Sequence, residues 1–369
     1  MAYPAVHLNE DSMREGMQIE SAEISVKDKI RLIDALSATG LEQIEVGSFV
    51  SPRYTPSMAR IDEVVQGFTP VPGVRYTALA LNEKGSQRRA AYMPPLELAP
   101  GAPTLFTHLC DTFARRNTNR SRAEEVAGWP AIVEAARASH ATEAGLGLGA
   151  AWGSNFEGPF TLEQRMEVLA EQHARWDKAG IPVTWVQIAD PMSWCMPDAV
   201  ETQLLALTRT WPGIRNIHLH LHDGRGMALP SIYAALRVLD ERFELYLDVT
   251  AGGIGGCPYC GNGQATGMAA TEDVVHMLET MGIATDVDLG KLIEAVWLLE
   301  QILGRPTMGH VSKAGPRPAD PAGYYDPNLP LVQTFEQARH FLLGPEAAEA
   351  GQRPWRDPIP APARAGQGG

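Results

Sequence analysis

Cysteine is scarce, with four in 369 residues. That is too few to staple a chain of this length, so the thiols read as reduced and the disulfide-built secreted folds are excluded. Long apolar runs are missing too: none approaches 18 residues, which removes a membrane-spanning helix. The opening Met-Ala-Tyr-Pro-Ala-Val-His lacks the basic and apolar blocks of an export signal, and the expectation is a soluble cytoplasmic protein. Positive charge is in deficit, with Lys+Arg 31 against Asp+Glu 44 and a formal net charge of −13. Such a surface repels phosphodiesters and anionic lipid, so neither nucleic acid nor a membrane is an expected partner. What is present, 44% hydrophobic and 20% charged residues, is ordinary for a globular chain with a substantial core.

Short apolar or β-branched runs recur at Val6–Leu8, Gln43–Phe49, Val74–Leu81, Thr104–Leu109, Gly145–Trp152, Pro182–Ile188, Asn216–His222 and Glu244–Val249. Between most of them lie segments of helical periodicity. Val26, Ile30, Ile33 and Leu36 follow Ser25 with Asp28 three residues on, a capping pattern, and Thr161 with Gln164 repeats it before a segment running to Lys178. Further helices are expected at Asp198–Thr210, Ala228–Leu239 and Thr271–Met281. Alternating strands and helices imply parallel strands, and eight such units fit a (β/α)8 TIM barrel. A doubly wound open sheet is the alternative. It needs a Gly-rich phosphate turn after the first strand, where Asp11-Ser12-Met13-Arg14-Glu15-Gly16 stands instead. The expected organisation is a barrel over 1–304, a Pro/Gly-rich C-terminal extension over 305–357 that packs on the barrel or covers it, and a disordered tail over 358–369. A short helix, Val332–Leu343, is expected inside the extension.

The strongest local signal is Ile217-His218-Leu219-His220-Leu221-His222-Asp223. Period two puts the histidines on one strand face and the aliphatic residues on the other. In a barrel the aliphatic face meets the helices, and His220 and His222 arrive at the C-terminal end of strand 7, where such barrels build their sites. There they can share a divalent cation; the competing reading is three core histidines, each needing its own partner. His218, deeper, is expected to be structural. Glu15 in Arg14-Glu15-Gly16, at the end of strand 1, can add an oxygen ligand. Two further acids at strand ends, Glu45 and Asp190, are candidate bases or orienting groups.

After strand 8 comes Ala251-Gly-Gly-Ile-Gly-Gly-Cys257-Pro258-Tyr259-Cys260-Gly-Asn262, glycine-rich enough for a loop that closes over substrate and carries Cys257 with it. Cys-Pro-Tyr-Cys also matches a glutaredoxin motif, but that motif opens a helix near the start of a small domain. Structural zinc lacks a second Cys-x-x-Cys, since Cys110 and Cys195 stand alone.

Taken together, the chain resembles the pyruvate carboxyltransferase-like, or DRE-TIM metallolyase, superfamily, and within it the 3-hydroxy-3-methylglutaryl-CoA lyases. The matches run in order from Arg14 to Lys313: Arg14-x-Gly16-x-Gln18, Ile44-Glu45, Ser48-Phe49-Val50-Ser51-Pro52, Arg116-Asn117-x-Asn119-x-Ser121, Phe156-Glu157-Gly158, Asp190, His220-x-His222-Asp223, the Gly-Gly-Cys257-Pro-Tyr loop and Thr271-Glu272-Asp273. The resemblance implies Mg2+ or Mn2+ held by Glu15, His220 and His222. It implies a retro-Claisen cleavage of an acyl-CoA to acetyl-CoA and a keto product. Asp190 would act as base, Arg14 would stabilise the enolate oxygen, Cys257 would be proton donor, and Glu45 would support the metal and the reacting groups. Gln18, Asn117, Asn119 and Lys313 are implied contacts to substrate or CoA, and a homodimer is the implied assembly. An acetyl-CoA-dependent condensing acyltransferase of the homocitrate, isopropylmalate or citramalate synthase type is the alternative. This chain departs from the lyase pattern in having Glu15 for aspartate, Ile19-Glu20-Ser21 for Asn-Glu-Lys, Pro191-Met192-Ser193-Trp194 after Asp190, and Met268 where an asparagine ligand is expected, with Asn262 as its nearest substitute.

Overall fold

Each of the eight apolar runs forms a strand of one parallel sheet: β1 Ala5–Glu10, β2 Gln43–Ser48, β3 Arg75–Leu79, β4 Thr104–His108, β5 Ala144–Gly149, β6 Val183–Asp190, β7 Asn216–Leu221 and β8 Glu244–Val249. The computed structural model describes residues 2–260, 267–318, 320, 321 and 324. The sheet order is β3-β2-β1-β8-β7-β6-β5-β4, so consecutive strands are neighbours all the way round and β1 pairs with β8 from Ala5↔Glu244 to Glu10↔Val249. Between β3 and β4 the segment before β4 supplies the contact: Leu96 bridges Tyr76, and Glu97 N–H donates to the Tyr76 carbonyl at 2.7 Å. This is the expected TIM barrel. A small antiparallel hairpin, Gly153–Ser154 with Gly158–Pro159, stands beyond β5.

The helices follow from capping and periodicity. The chain carries α1 Val26–Ser37, α2 Ile61–Gly67, α3 Glu83–Ala90, α4 Asp111–Thr118, α5 Arg122–Ala138, α6 Leu162–Ala179, α7 Pro197–Thr210, α8 Ala228–Val238, α9 Thr271–Thr280, α10 Leu289–Leu303 and α11 Val311–Ala314. Ser25 caps α1, and Thr161 with Gln164 closes a reciprocal capping box on α6 as the sequence predicts. Ser121 and Glu124 make a second capping box, on α5, which continues through Pro130.

Strand parity sorts the side chains. On β7, Ile217, Leu219 and Leu221 are buried toward the helices, while His218 and His220 on the other parity are half-buried. Helices are bolted to strand backbones by buried polar groups: Trp176 of α6 donates to the Gly145 carbonyl at 2.9 Å, Trp129 of α5 to Phe106, and Gln172 bonds both the N–H and the carbonyl of Gly147. Truncating an indole of this kind to alanine costs about 3–5 kcal/mol. The described residues after α10 lie against the loop that follows β8. Met308 and Gly309 N–H groups donate to the Gly252 carbonyl, and the Trp297 indole donates to Ser312. The expected helix Val332–Leu343, the remainder of the 305–357 extension, the tail 358–369 and Asn262 lie outside the described residues. Among the described residues no helix is long and apolar enough to cross a membrane.

Candidate active site

At the end of β1 the chain enters a five-residue π-helical turn, Ser12–Gly16, a geometry that frequently marks functional positions. Asp11 caps it by accepting the Glu15 N–H, and Glu10, fully buried, accepts the N–H groups of Ser12 and Ala251. The turn thereby places Arg14 and Glu15 over the mouth of the barrel. Arg14 forms an ion pair with Glu15, lies 3.4 Å from Asp11, and has its Nε 3.9 Å from Glu45. That Nε is buried and has no hydrogen-bond acceptor among the described residues.

From β7, period two delivers His220 and, one step past the strand, His222. Asp248 on the neighbouring β8 accepts from His220 Nδ1 at 2.7 Å and from His218 Nε2 at 2.8 Å, while Asn9 of β1 also donates to it at 2.8 Å. His218 is therefore a partner of Asp248, in keeping with the structural part expected of it. With Nδ1 occupied, His220 directs Nε2 to the mouth, where it lies 3.2 Å from Nε2 of His222. His222 Nε2 is 3.6 Å from Glu15 Oε1, and donor atoms of Glu15, His220 and His222 all lie within 4.8 Å of one another. Two imidazole nitrogens that face each other beside a carboxylate are a donor set suited to a divalent cation, and a carboxylate behind one imidazole is its usual support.

The electrostatics are dominated by buried carboxylates around one guanidinium. Burial raises Asp11 well above the ordinary aspartate range, helped by Glu45 and Asp248, against the pull of Arg14. Glu45 is raised by burial as well, and Arg14 and a hydrogen bond from Asp11 oppose the rise. Asp248 goes the other way: burial opposes its charge, but His218 and His220 hold it well below the usual value.

The loop after β8 closes one side. Gly255 has φ +108°, and a Cβ there would stand 2.9 Å from the Glu15 carbonyl oxygen; at Gly267 a Cβ would fall 1.6 Å from the Gly253 carbonyl oxygen. Glycine at 255 lets the loop lie directly on the ligand-bearing turn, and glycine at 267 lets the returning chain pass close to Gly253. Cys257 is buried, in an apolar cluster with Cys110, Phe113, Ala150, Met192 and Cys260, and all four cysteines are free thiols. Met268 pairs through its backbone with His222, so the position of the expected asparagine does lie beside the cluster.

Other expected residues are placed differently. Gln18 reaches the cluster by donating to Glu15 Oε1 at 2.6 Å, and lies 3.5 Å from the Gly256 carbonyl. Asp190 is fully buried, which raises its pKa, and its two oxygens accept the N–H groups of Trp194 and Cys195 at 3.0 and 2.7 Å. Asn117 is exposed on α4, and Asn119 ends that helix in the left-handed conformation asparagine tolerates. Lys313 pairs with Glu300 at 2.5 Å and lies 3.3 Å from Thr307. No hydrogen bond or ion pair among the described residues links Asn117, Asn119 or Lys313 to the Glu15–His220–His222 cluster. Two participants went unread in the sequence, Asp11 and Asp248. Parity on β8 is the signal for the second, because Tyr246 and Asp248 alternate with the helix-facing Leu245 and Leu247.

A parallel eight-stranded barrel with a two-histidine, one-carboxylate cluster at the C-terminal mouth and a thiol on the loop above it is a TIM barrel with a candidate metal-dependent active site. The HMGL-like family model matches residues 5–298. A hydroxymethylglutaryl-CoA lyase of Bacillus subtilis is 34% identical over 307 residues, covering 83% of this chain and 96% of that protein. A 3-hydroxy-3-isohexenylglutaryl-CoA/hydroxymethylglutaryl-CoA lyase of Pseudomonas aeruginosa is also 34% identical, over 309 residues, covering 84% and 96%. A solved HMG-CoA lyase of Acinetobacter baumannii, in complex with coenzyme A and 3-methylmalate, superposes with a TM-score of 0.68 at 30% identity, covering 86% of this chain and 96% of that one. The chain belongs to the HMGL-like family.

Proposed function

We propose that the protein cleaves a 3-hydroxy-3-methylglutaryl-CoA-like thioester to acetyl-CoA and a keto acid, and the observation that carries this reading is the convergence of Glu15, His220 and His222 beneath the Cys257 loop. Mg2+ or Mn2+ would be held by those three residues, and when bound would polarise the tertiary hydroxyl and a neighbouring oxygen of the substrate, lowering the hydroxyl pKa. Arg14, held beside Glu15 and Glu45, would stabilise the negative oxygen that develops as the C–C bond breaks and its electron pair moves into the thioester carbonyl. Cys257 would then deliver a proton to the enolate carbon, giving the acetyl group.

The base that removes the hydroxyl proton is Glu45 in this reading. It lies beside Arg14 and Asp11, whereas Asp190, the base expected from the resemblance, spends both oxygens on backbone N–H groups and positions the loop after β6. Gln18 orients Glu15. Asn117, Asn119 and Lys313 are proposed to act on the CoA side, at a distance from the cluster. The coenzyme A found with the Acinetobacter protein supports an acyl-CoA as the small-molecule partner, and the relatives named as lyases favour cleavage over the condensing alternative. A homodimer in the cytoplasm, and the division into a barrel over 1–304 with its extension and tail, complete the proposal.

The test is mass-spectrometric detection of acetyl-CoA from metal-stripped protein, with and without Mg2+ or Mn2+, across a panel of 3-hydroxy-3-carboxyalkyl-CoA thioesters. Metal-dependent release from one member is expected. Consumption of acetyl-CoA with a 2-oxo acid, and no cleavage, would overturn the direction.

A further inference from the structure

Four hydrogen bonds hold the segment that carries Cys257, each joining it to a region that follows another strand. Arg116, at the end of α4 and exposed, donates through Nε to the Tyr259 carbonyl at 2.9 Å while its guanidinium lies 5.3 Å over the Phe156 ring. Asn155, exposed in the hairpin after β5, donates through Nδ2 to the Cys260 carbonyl at 3.0 Å, and its Oδ1 accepts the Trp194 indole N–H at 3.0 Å. The Cys260 thiol donates to the Pro191 carbonyl, in the loop after β6, at 3.1 Å. From the β1 side, Gln18 lies 3.5 Å from the Gly256 carbonyl.

We infer that Arg116 and Asn155 are positioning residues: with the Cys260 thiol they form a clasp that holds the Cys257 loop down over the cluster. The proposal rests on Cys257 being the proton donor. The chemistry favours a clasp over incidental packing because the bonds converge on successive carbonyls. A run of backbone flanked by glycines has little intrinsic preference for one conformation, so its position must be imposed from outside. Arg116 reaches it from α4, which follows β4, and Asn155 from the hairpin that follows β5, across the barrel mouth from β8. The neighbouring Phe156 and Trp194 give both donors a rigid surface to rest on, which reduces the entropy lost in holding them.

The test reads loop opening directly. Cys257 is buried, so iodoacetamide reaches it only from an open state, and its alkylation rate reports the opening equilibrium. Arg116→Gln removes one bond. Asn155→Asp removes the donor to Cys260 but keeps the acceptor for Trp194. Rates are followed by peptide mass spectrometry, with Cys195 as the internal reference; its side chain is fully buried and meets Ser231, away from the loop. Each variant is expected to alkylate Cys257 about threefold faster or more, the doubly substituted protein faster still, with Cys195 unchanged and the melting temperature retained. Turnover should fall in kcat with little change in KM. Unchanged Cys257 rates in both variants, or Cys195 rising in parallel, would overturn the clasp. If wild-type protein cleaves no thioester while the variants still open the loop, the clasp stands and the reading of Cys257 as donor falls.

Discussion

His220 Nδ1 lies 2.7 Å from Oδ2 of Asp248, on the adjacent strand β8, and this contact sets which nitrogen the imidazole presents to the mouth. Asp248→Asn keeps the shape but can offer His220 an N–H where it needs an acceptor. Mn2+ affinity by titration calorimetry is expected to fall about 10–100-fold with the fold retained. Unaltered affinity would remove Asp248 from the support of the site.

Glu15→Ala should abolish both Mn2+ binding and turnover while circular dichroism stays that of the parent. A variant that still turns over at the parent rate would exclude Glu15 from the chemistry.

Cys257→Ser replaces the thiol with a much weaker acid of nearly the same size. Turnover should drop by about 10²–10⁴-fold and metal affinity should hold. Asp190→Asn is the complementary case. As a positioning residue it should lose activity partly and show a lowered melting temperature; loss as deep as for Cys257→Ser with unchanged stability would return the base role to Asp190.

Gly255→Ala forces a Cβ to within 2.9 Å of the Glu15 carbonyl at a φ of +108°. A loss of about 1–3 kcal/mol in urea denaturation is expected, with weakened metal binding alongside it.

Glu272 is fully buried with Oε2 on the Gly252 N–H and Oε1 unpartnered among the described residues; burial, then Asp273, pushes its pKa up to about 8. The folded state thus holds a proton that the unfolded chain releases near the ordinary glutamate value of 4.5. Its stabilising contribution is complete below that value and disappears as pH rises through about 8. Glu272→Gln should flatten the decline between pH 6 and pH 9 by roughly 2 kcal/mol. Parallel stability curves for the two proteins would refute the shift.

The barrel was legible because its strands recur between helical segments, and Ile217 to Leu221 alternates its two faces without interruption. Helices α2 to α5, α10 and α11 were not. Short α2 and α3 carry little apolar periodicity, and Pro130 inside α5 reads as a stop although tertiary packing of Trp129 overrides it. In the site, Glu15, His220 and His222 could be paired because each sits at a strand end. Asp190 sits at one too, yet its carboxylate turns to the N–H groups of the loop that follows, a choice made by local turn geometry that residue order does not reveal. Asp11 was hidden for a similar reason, since its proximity to Glu45 arises only once β1 and β2 are side by side.

The contact between Gly255 and the Glu15 carbonyl has a temporal side. Glu15 belongs to the first strand's turn and Gly255 to the loop after the last strand, so 240 positions of synthesis separate two groups that must touch. A chain emerging from the ribosome carries its carboxylate ligand from the outset but can complete the mouth only after β8 has docked on β1. The mouth is thus completed only late in biosynthesis, and a polypeptide released before β8 holds the Glu15 turn without the Cys257 loop that lies on it.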